Sequence, residues 1–237
     1  ATLDSMLSAA KGVNTISPTW FFLSDNAGNI TSYASQDYVT DAHNRGLEVW
    51  AKLDDFTAKV DDEAIFSSSQ NRQNLITALM NEVQKYGIDG INIDCEKVSE
   101  DAGPHFVEFI RELSISCRAA GIVLSVDNYP PSGGTTWYNR AEQSVFADYV
   151  IVMGYDENYS GGGKVGSVAS INYVENGIKD TLKVVPSSKL INALPFYTRI
   201  WKTTGTERTR EAASMSDAQA FLTKNGLTAK WDDTTCQ

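Results

Sequence analysis

The chain contains little histidine and little cysteine, with two His and three Cys among its 237 residues. Cys95, Cys117 and Cys236 are an odd and widely spaced set that matches neither a disulfide framework nor a zinc-finger spacing. His43 and His105 each stand in a polar, helical context, where surface placement is the simpler expectation. A transition-metal site or a histidine-based catalytic triad is therefore poorly supported, and we expect no metal and no cofactor.

Long apolar runs and excess positive charge are also absent. No stretch of 18 or more apolar residues occurs, so we expect no membrane span. Lys and Arg number 20 against 30 Asp and Glu, for a net charge of −10, which argues against a nucleic-acid partner. A neutral polymer such as a polysaccharide is compatible with this charge. An acidic surface that only keeps the protein soluble explains its sign equally well.

Phosphate-binding glycine loops are missing as well. No Gly-x-Gly-x-x-Gly follows the first predicted strand, and no Walker loop occurs. The run Gly161–Gly163 follows a predicted strand, but Lys164 and Val165 do not complete a phosphate motif. A nucleotide-binding sheet is therefore disfavoured.

Apolar, strand-like runs alternate with amphipathic helices along the chain. This alternation predicts an α/β fold with a parallel sheet, either doubly wound or most of a (β/α)8 barrel. The predicted strands are Val13–Leu23, Leu47–Leu53, Ile88–Glu96, Ile122–Asp127, Tyr149–Tyr155 and Leu190–Phe196. The predicted helices are Thr2–Lys11, Gln36–Arg45, one that a serine cluster at 67–69 caps and Gly87 ends, Gly103–Ala120, Arg140–Phe146, Asn172–Val184 and Asp217–Lys224.

One predicted strand carries an unusual polar stack. Because side chains alternate along a strand, Asn92, Asp94 and Glu96 are expected on one face, and Ile91 and Ile93 on the other. Buried parallel strands are usually apolar, so a stack of this kind is unfavourable unless a site requires it. Barrel enzymes hold their catalytic groups at the C-terminal ends of their strands.

The two carboxylates of this stack are expected to interact. An ionised Asp94 beside Glu96 would raise the pKa of Glu96 and keep it protonated, as a general acid requires. The alternative interpretation is a solvated edge strand with alternating polar residues. That alternative does not explain the Asp and Gly that precede the stack at positions 89 and 90.

Several ordered motifs resemble glycoside hydrolase family 18, the chitinase-like enzymes. Asp89–Glu96 is similar to the D-x-x-D-x-D-x-E signature of that family, and Val152–Glu157 is similar to its Met-x-Tyr-Asp strand. Ile16–Phe21 and Leu194–Trp201 resemble the bacterial branch that includes spore-cortex lytic glucosaminidases. In that branch Asn is familiar at the position of Asn92. The resemblance covers nearly the whole chain and implies a (β/α)8 barrel.

The resemblance also implies a retaining mechanism without an enzyme nucleophile. Glu96 would protonate the glycosidic oxygen, and the acetamido oxygen of the substrate would attack the anomeric carbon. Asp94 would orient the acetamido N–H and stabilise the developing positive charge. Tyr155 and Asp156 would hold the acetamido group, and Glu96 would then activate water.

Further candidates for sugar contacts lie near the ends of the predicted strands. Met153 shares a strand face with Tyr155, and Asn92 belongs to the carboxylate stack. Aromatic residues in the following loops could stack on sugar rings, although a core or rim position is equally consistent with each of them. The aromatic candidates are Tyr129, Trp137, Tyr159 and Tyr197, and the polar candidates of second rank are Asp127, Asn128, Asp54 and Asp55.

The predicted strands correspond to strands two to seven of the family barrel. The chain opens on the helix that follows a first strand, and no eighth strand follows Trp231. We therefore expect residues 1–237 to be a single catalytic domain, truncated at both ends. The alternative is that a partner copy supplies the missing strands through self-association.

The function expected from the resemblance is hydrolysis of β-1,4 bonds at N-acetylglucosamine residues, in peptidoglycan of the spore cortex or cell wall. The alternatives are chitin as substrate, or a carbohydrate-binding relative that has lost catalysis. An intact Glu96 favours the enzyme. A cell-wall substrate implies an extracellular, envelope or spore-coat location.

Overall fold

The computed structural model describes residues 3–8, 10–56, 59–159, 164–205 and 207–236. The glycine run 161–163 considered above lies outside these ranges. The chain divides into two compact units. The first unit comprises Ala1–Asn128, Ser132–Ile151 and Val184–Leu190, and the second comprises Tyr129–Pro131, Val152–Lys183 and Ile191–Gln237.

The sheet has the strand order β3-β2-β4-β5-β6-β7-β8, with β1 paired to β4, and the first unit contains β1 to β6 and the start of β7. Strands β2, β4, β5 and β6 run parallel, whereas β3 is antiparallel to β2. The parallel α/β architecture predicted from the sequence is confirmed. The strands are β1 Thr15–Ile16, β2 Thr19–Leu23, β3 Ile30–Ser32, β4 Glu48–Asp54, β5 Gly90–Asp94, β6 Val123–Asn128 and β7 Tyr149–Met153, which passes into the second unit.

Helix α4 (Ser69–Tyr86) begins and ends at the signals expected from the sequence. The Ser68 side chain accepts a hydrogen bond from the Asn71 N–H at the start of α4, and Gly87 ends that helix in the left-handed conformation. The helix α3 was not predicted. The helices are α1 Leu3–Leu7, α2 Gln36–Asn44, α3 Asp62–Ser67, α4 Ser69–Tyr86, α5 Gly103–Ala120 and α6 Arg140–Phe146, with a 3₁₀ segment at Gly133–Tyr138.

Two predictions at the N-terminal end are wrong in extent. The predicted strand Val13–Leu23 is divided at Pro18, whose nitrogen has no hydrogen to donate to a neighbouring strand. Of the predicted helix Thr2–Lys11, Leu3–Leu7 is helical and Ser8, Ala10 and Lys11 are not, while Thr2 and Ala9 lie outside the described residues. Met6 is 52% exposed, so little packing supports a longer helix.

An aromatic cluster joins α3, α5 and the 3₁₀ segment in the core of the first unit. The ring centroids of Phe66 lie 5.2 Å from those of Phe106 and Phe109, and Phe106 lies 5.8 Å from Tyr138. All four side chains are buried. The cluster therefore fixes Tyr138, which contacts the segment that carries Glu96.

The second unit contains an antiparallel hairpin that the sequence did not predict. Strands β9 and β10 pair along their whole lengths, from Tyr197 with Ser214 to Thr204 with Glu207. Strand β8 ends earlier than predicted, and Phe196 beyond it is 89% exposed. The elements are α7 Ile171–Thr181, β8 Leu190–Ala193, β9 Tyr197–Thr204, β10 Glu207–Ser214 and α8 Met215–Lys224.

Within the part of the chain that the structure describes, no helix combines the length and apolar character needed to cross a membrane.

Candidate active site

Three neighbouring strands of the first unit carry the same pattern of a polar residue, a buried apolar residue and an aspartate, which ends β4 and β5 and lies one residue before the end of β6. The register of the parallel sheet places Lys52 opposite Asn92 and Asn92 opposite Ser125. The apolar middle residues are fully buried, so the polar residues share the other face. We call these the polar triplets: Lys52-Leu53-Asp54 on β4, Asn92-Ile93-Asp94 on β5 and Ser125-Val126-Asp127 on β6.

The polar triplets are joined by side-chain contacts across the strands. The Asn92 amide nitrogen donates to Ser125 Oγ at 3.2 Å and to Asp127 Oδ1 at 3.0 Å. The Lys52 ammonium donates to Asp94 Oδ2 in an ion pair, and it lies 4.0 Å from Asp54 Oδ2. A lysine, an amide and three carboxyl groups thus form one polar edge at the C-terminal ends of three strands.

The protonation of this edge is set first by burial. Burial raises the pKa of Asp94, and the Lys52 charge opposes that shift. Burial raises the pKa of Asp127 far above its usual value, and the nearby Asp94 charge adds to the effect. Burial disfavours the charged form of Lys52, but the attraction of Asp94 outweighs it and the pKa of Lys52 is raised.

Two oxygens of the polar triplets are buried and have no hydrogen-bond partner among the described residues. They are Asp94 Oδ1 and Asn92 Oδ1. Buried polar atoms in folded proteins are nearly always hydrogen-bonded, and each exception calls for an explanation. Both atoms are acceptors, so a bound ligand that presents N–H or O–H groups would satisfy them.

Glu96 lies beyond the strand, and this corrects one prediction. Strand β5 ends at Asp94, so the alternation that was to place Glu96 on the same strand face stops two residues before it. Glu96 is half-buried, whereas Asn92 and Asp94 are buried. The Glu96 charge contributes to the raised pKa of Asp127, after burial and Asp94, which places Glu96 near the polar triplets. The predicted effect of Asp94 on Glu96 stays a prediction.

The backbone on either side of Glu96 is fixed by three side chains. The Tyr138 hydroxyl donates to the Cys95 carbonyl at 2.9 Å, and the Lys97 N–H donates to Asp55 Oδ2 at 2.8 Å. The Trp137 indole N–H donates to the carbonyl of Val98 at 2.8 Å. We call residues 95–98 the acid segment. Its position depends on these contacts, because it has no strand neighbours of its own.

Tyr138→Phe tests this arrangement. The change removes the hydroxyl that donates to the Cys95 carbonyl and leaves the aromatic cluster intact, so we expect the free energy of unfolding to fall by about 1–2 kcal/mol. Urea unfolding followed by circular dichroism measures it. Tyr33→Phe, at a 66% exposed position, is the control and should change little. Equal stability of the two variants would contradict the proposed anchor.

Asn128 and Trp137, both predicted to contact substrate, are engaged inside the first unit. Asn128 is buried, and its amide exchanges hydrogen bonds with Gln143 at 2.7 and 3.3 Å. The half-buried Trp137 borders a cavity of about 550 Å³, together with Glu100 and with residues of α5 and α6 that include Glu108 and Arg111. We leave both residues out of the substrate contacts proposed below.

The second unit contains the other predicted site residues. Strand β7 ends at Met153, and Asp156 has a left-handed backbone with φ of 58°. One oxygen, Asp156 Oδ1, accepts from the Tyr197 hydroxyl and from Arg199 Nη2, each at 2.6 Å. The rings of Tyr155 and Tyr197 meet edge to face, with centroids 6.3 Å apart. Burial raises the pKa of Tyr197, and its hydrogen bond to Asp156 adds to this shift.

In the ranges that the structure describes, no cluster of three or more His, Cys, Asp or Glu side chains is arranged to hold a metal ion.

The sequence model of glycosyl hydrolases family 18 matches residues 18–237. The chain belongs to this family. A curated relative, the uncharacterized glycosylase YvbX of Bacillus subtilis (strain 168), is 26% identical over 213 residues. That alignment covers 85% of this chain and 61% of the relative, so the chain spans less than two thirds of the relative's length.

Solved structures confirm the fold. The spore cortex-lytic enzyme SleL of Bacillus megaterium QM B1551 superposes with a TM-score of 0.85 at 16% identity, over 100% of this chain and 57% of SleL. A chitinase from Chromobacterium violaceum ATCC 12472 gives a TM-score of 0.84 at 21% identity, over 98% of this chain and 74% of that protein. The predicted chitinase-like family and its α/β fold class are thus both confirmed.

Four residues that hold the candidate site of this family 18 chain were missed by the sequence-based prediction or ranked too low in it. Lys52 pairs with Asp94, Asp55 and Tyr138 fix the acid segment, and Arg199 pairs with Asp156. The polar triplets themselves indicated Lys52, since the same three-residue pattern recurs at the ends of β4 and β5 and one residue before the end of β6. The alternation of Tyr197 and Arg199 was a signal for Arg199.

Proposed function

We propose that the chain is a retaining glycosidase that hydrolyses β-1,4 bonds at N-acetylglucosamine residues by substrate-assisted catalysis. The observation that carries this proposal is Asp94, whose Oδ2 is held by Lys52 while its buried Oδ1 has no partner among the described residues. An acceptor of this kind suits the N–H of a substrate acetamido group. Glu96 follows two residues later on the acid segment.

The proposed reaction has two steps. The carboxyl proton of Glu96 passes to the glycosidic oxygen as its bond to the anomeric carbon breaks, and the acetamido carbonyl oxygen bonds to that carbon. The leaving sugar departs as an alcohol, and an oxazolinium ion remains. Water then attacks the anomeric carbon and gives a proton to the Glu96 carboxylate, which regenerates the acetamide and the acid.

Asp94 acts in both steps of this scheme. Its Oδ1 accepts the acetamido N–H and turns the acetamido oxygen towards the anomeric carbon. Its negative charge stabilises the positive charge of the oxazolinium ion, and this interaction is stronger in a buried site than in water. The roles of Tyr155 and Asp156 in holding the acetamido group remain those that the family resemblance implies. Met153, Asn92 and Tyr197 remain proposed substrate contacts.

We propose peptidoglycan of the spore cortex or cell wall as the substrate, with chitin as the alternative. The name of SleL, a spore cortex-lytic enzyme, supports the first, and the chitinase from Chromobacterium violaceum supports the second. A cell-wall substrate places the protein outside the cell, in the envelope or in the spore coat. The family match across residues 18–237 supports one catalytic domain.

Comparison of acetylated with deacetylated substrates tests the proposal. Wild-type protein is incubated with N-acetylglucosamine oligomers, with peptidoglycan fragments and with the corresponding glucosamine oligomers. We expect cleavage of acetylated substrates only, with the β-anomer as the first product, because the attacking oxygen belongs to the acetamido group. Comparable cleavage of deacetylated oligomers would contradict the mechanism. Binding without cleavage would show a carbohydrate-binding relative instead.

A further inference from the structure

We propose that Lys52 is a positioning residue for this reaction, which bonds to Oδ2 of Asp94, holds Asp94 in its charged form and leaves its Oδ1 without a hydrogen bond among the described residues. This inference rests on the proposed function, because it concerns how the acetamido-orienting carboxylate is kept ready. Lys52 itself need not touch the substrate.

The register of the sheet gives Lys52 its position. Lys52 on β4 is opposite Asn92 on β5, and this pair lies two residues before the pair formed by Asp54 and Asp94 on the same face. From there the lysine side chain reaches diagonally to Asp94 Oδ2. The side chains are 23% exposed for Lys52 and 7% exposed for Asp94. The pair is therefore largely shielded from water, where a charge interaction is strong and loss of one partner is strongly unfavourable.

Lys52 bonds to one oxygen of Asp94 and not to the other. The contact with Oδ2 fixes the orientation of the carboxylate plane, and Oδ1 is left buried without a partner among the described residues. Asn92 cannot orient Asp94 in this way, because its amide nitrogen is already bonded to Ser125 and Asp127.

The acidic groups near Asp94 explain why a cation is needed. Asp54 is on β4, Asp55 follows that strand, and Asp127 is on β6. Glu96 lies two residues after Asp94. Lys52 is the one positive group of this set. Burial raises the pKa of Asp94, with smaller contributions from Asp54 and Asp55, and Lys52 opposes the increase. Without Lys52, Asp94 would bind a proton at higher pH and lose the charge that stabilises the oxazolinium ion.

The first test compares Lys52→Met, which removes the charge at similar size, with Lys52→Arg, which keeps it. The ratio kcat/KM on N-acetylglucosamine oligomers is measured across pH. We expect Lys52→Met to lower kcat/KM at neutral pH by about tenfold or more and to shift the acidic limb of the profile to higher pH. Lys52→Arg should retain most of the activity. Lys179→Met, which removes a 65% exposed lysine paired with Glu175, should retain the wild-type profile.

The second test does not depend on activity. The carboxyl carbon of Asp94, assigned by its loss in Asp94→Asn, is titrated by ¹³C NMR in the full chain. The midpoint for Asp94 should rise in Lys52→Met by about one pH unit or more, because the stabilising cation is gone. Lys52→Arg should leave it near the wild-type value.

A double variant controls for the possibility that Lys52→Met loses activity only because it is less stable. Lys52→Met leaves a buried carboxylate unpaired, whereas Lys52→Met combined with Asp94→Asn removes both charges. If Lys52 acts through Asp94, the double variant should be no less active than Asp94→Asn alone. A further loss in the double variant would overturn the inference.

The results separate failure of this inference from failure of the proposed function. If Lys52→Met keeps the wild-type pH profile and Asp94 titration while Glu96→Gln is inactive, Lys52 is not a positioning residue and the proposed function stands. If Glu96→Gln cleaves as wild type does, the proposed function fails. The NMR titration then decides by itself whether Lys52 holds Asp94 charged.

Discussion

Replacement of Glu96 by Gln is expected to lower kcat on N-acetylglucosamine oligomers by on the order of a hundredfold or more. The amide has nearly the same size as the carboxyl group but cannot give its proton to the leaving oxygen. Binding relies on other groups, so KM should change far less than kcat. Initial rates measured by chromatography of the released oligomers, at several substrate concentrations, separate the two constants.

Glu100→Gln is the matched control for Glu96→Gln. Glu100 is exposed and lies four residues further along the chain, beyond the acid segment, so the same chemical change should leave kcat unaltered. Far-ultraviolet circular dichroism and the thermal midpoint of both variants should match the wild type. Cleavage by Glu96→Gln at a rate close to wild type would assign the proton donor elsewhere and remove the basis of the proposed mechanism.

Local periodicity was sufficient to predict the sheet that carries the site. The alternation of strands and helices predicted the parallel α/β fold, and the buried apolar residues of β5 agree with the pattern that marked it as a core strand. The stack of Asn92 and Asp94 was read correctly up to the end of that strand. Glu96 was assigned to the same face because alternation does not show where a strand ends.

Contacts between distant parts of the sequence could not be predicted in this way. Lys52 meets Asp94 across 42 residues, Tyr138 meets Cys95 across 43, and Arg199 meets Asp156 across 43. Each contact depends on strand register or on packing of a loop against the sheet, and neither is written in the local pattern. A comparison of the C-terminal ends of successive strands would have found the first of them, through the polar triplets.

The hairpin of β9 and β10 was missed for a different physical reason. A half-buried strand shows alternation of apolar and polar residues, but β10 is exposed along its length except at Ala213. Its residues therefore show no periodic apolar signal. The turn residue Gly205, with φ of 60°, was the local feature that could have indicated a reversal of the chain.

The second large effect is expected at Asp62, in the first turn of α3. Its side chain is buried, and neither carboxyl oxygen has a hydrogen-bond partner among the described residues. Burial raises the pKa of Asp62 to about 8, and the neighbouring Asp55 adds to the effect. An unfolded Asp titrates near pH 3.9, so between these values the folded protein binds the additional proton. Its stabilising effect is complete below about pH 4 and is lost as pH rises through 8.

Asp62→Asn is therefore expected to remove the loss of stability that builds up between about pH 4 and pH 8. At pH 9 the variant should exceed the wild type in free energy of unfolding by on the order of 3 kcal/mol, and the difference should shrink towards acidic pH. Urea unfolding at pH 5, 7 and 9 measures this dependence. Glu63→Gln, the same change at the exposed neighbouring position, should follow the wild type at each pH.

Ionisation of Asp62 should also disturb the position of the acid segment, because Asp55 accepts a hydrogen bond from the N–H of Lys97, the residue directly after Glu96. A second negative charge beside Asp55 would repel the Asp55 carboxylate, which holds this backbone through the Lys97 N–H. The folded carboxyl group ionises near pH 8, so we expect activity to fall there and Asp62→Asn to extend it to higher pH, as a kcat/KM profile would show. If stability and activity depend on pH in Asp62→Asn as they do in wild type, Asp62 is already charged in the folded protein, and solvent must reach it in spite of its burial.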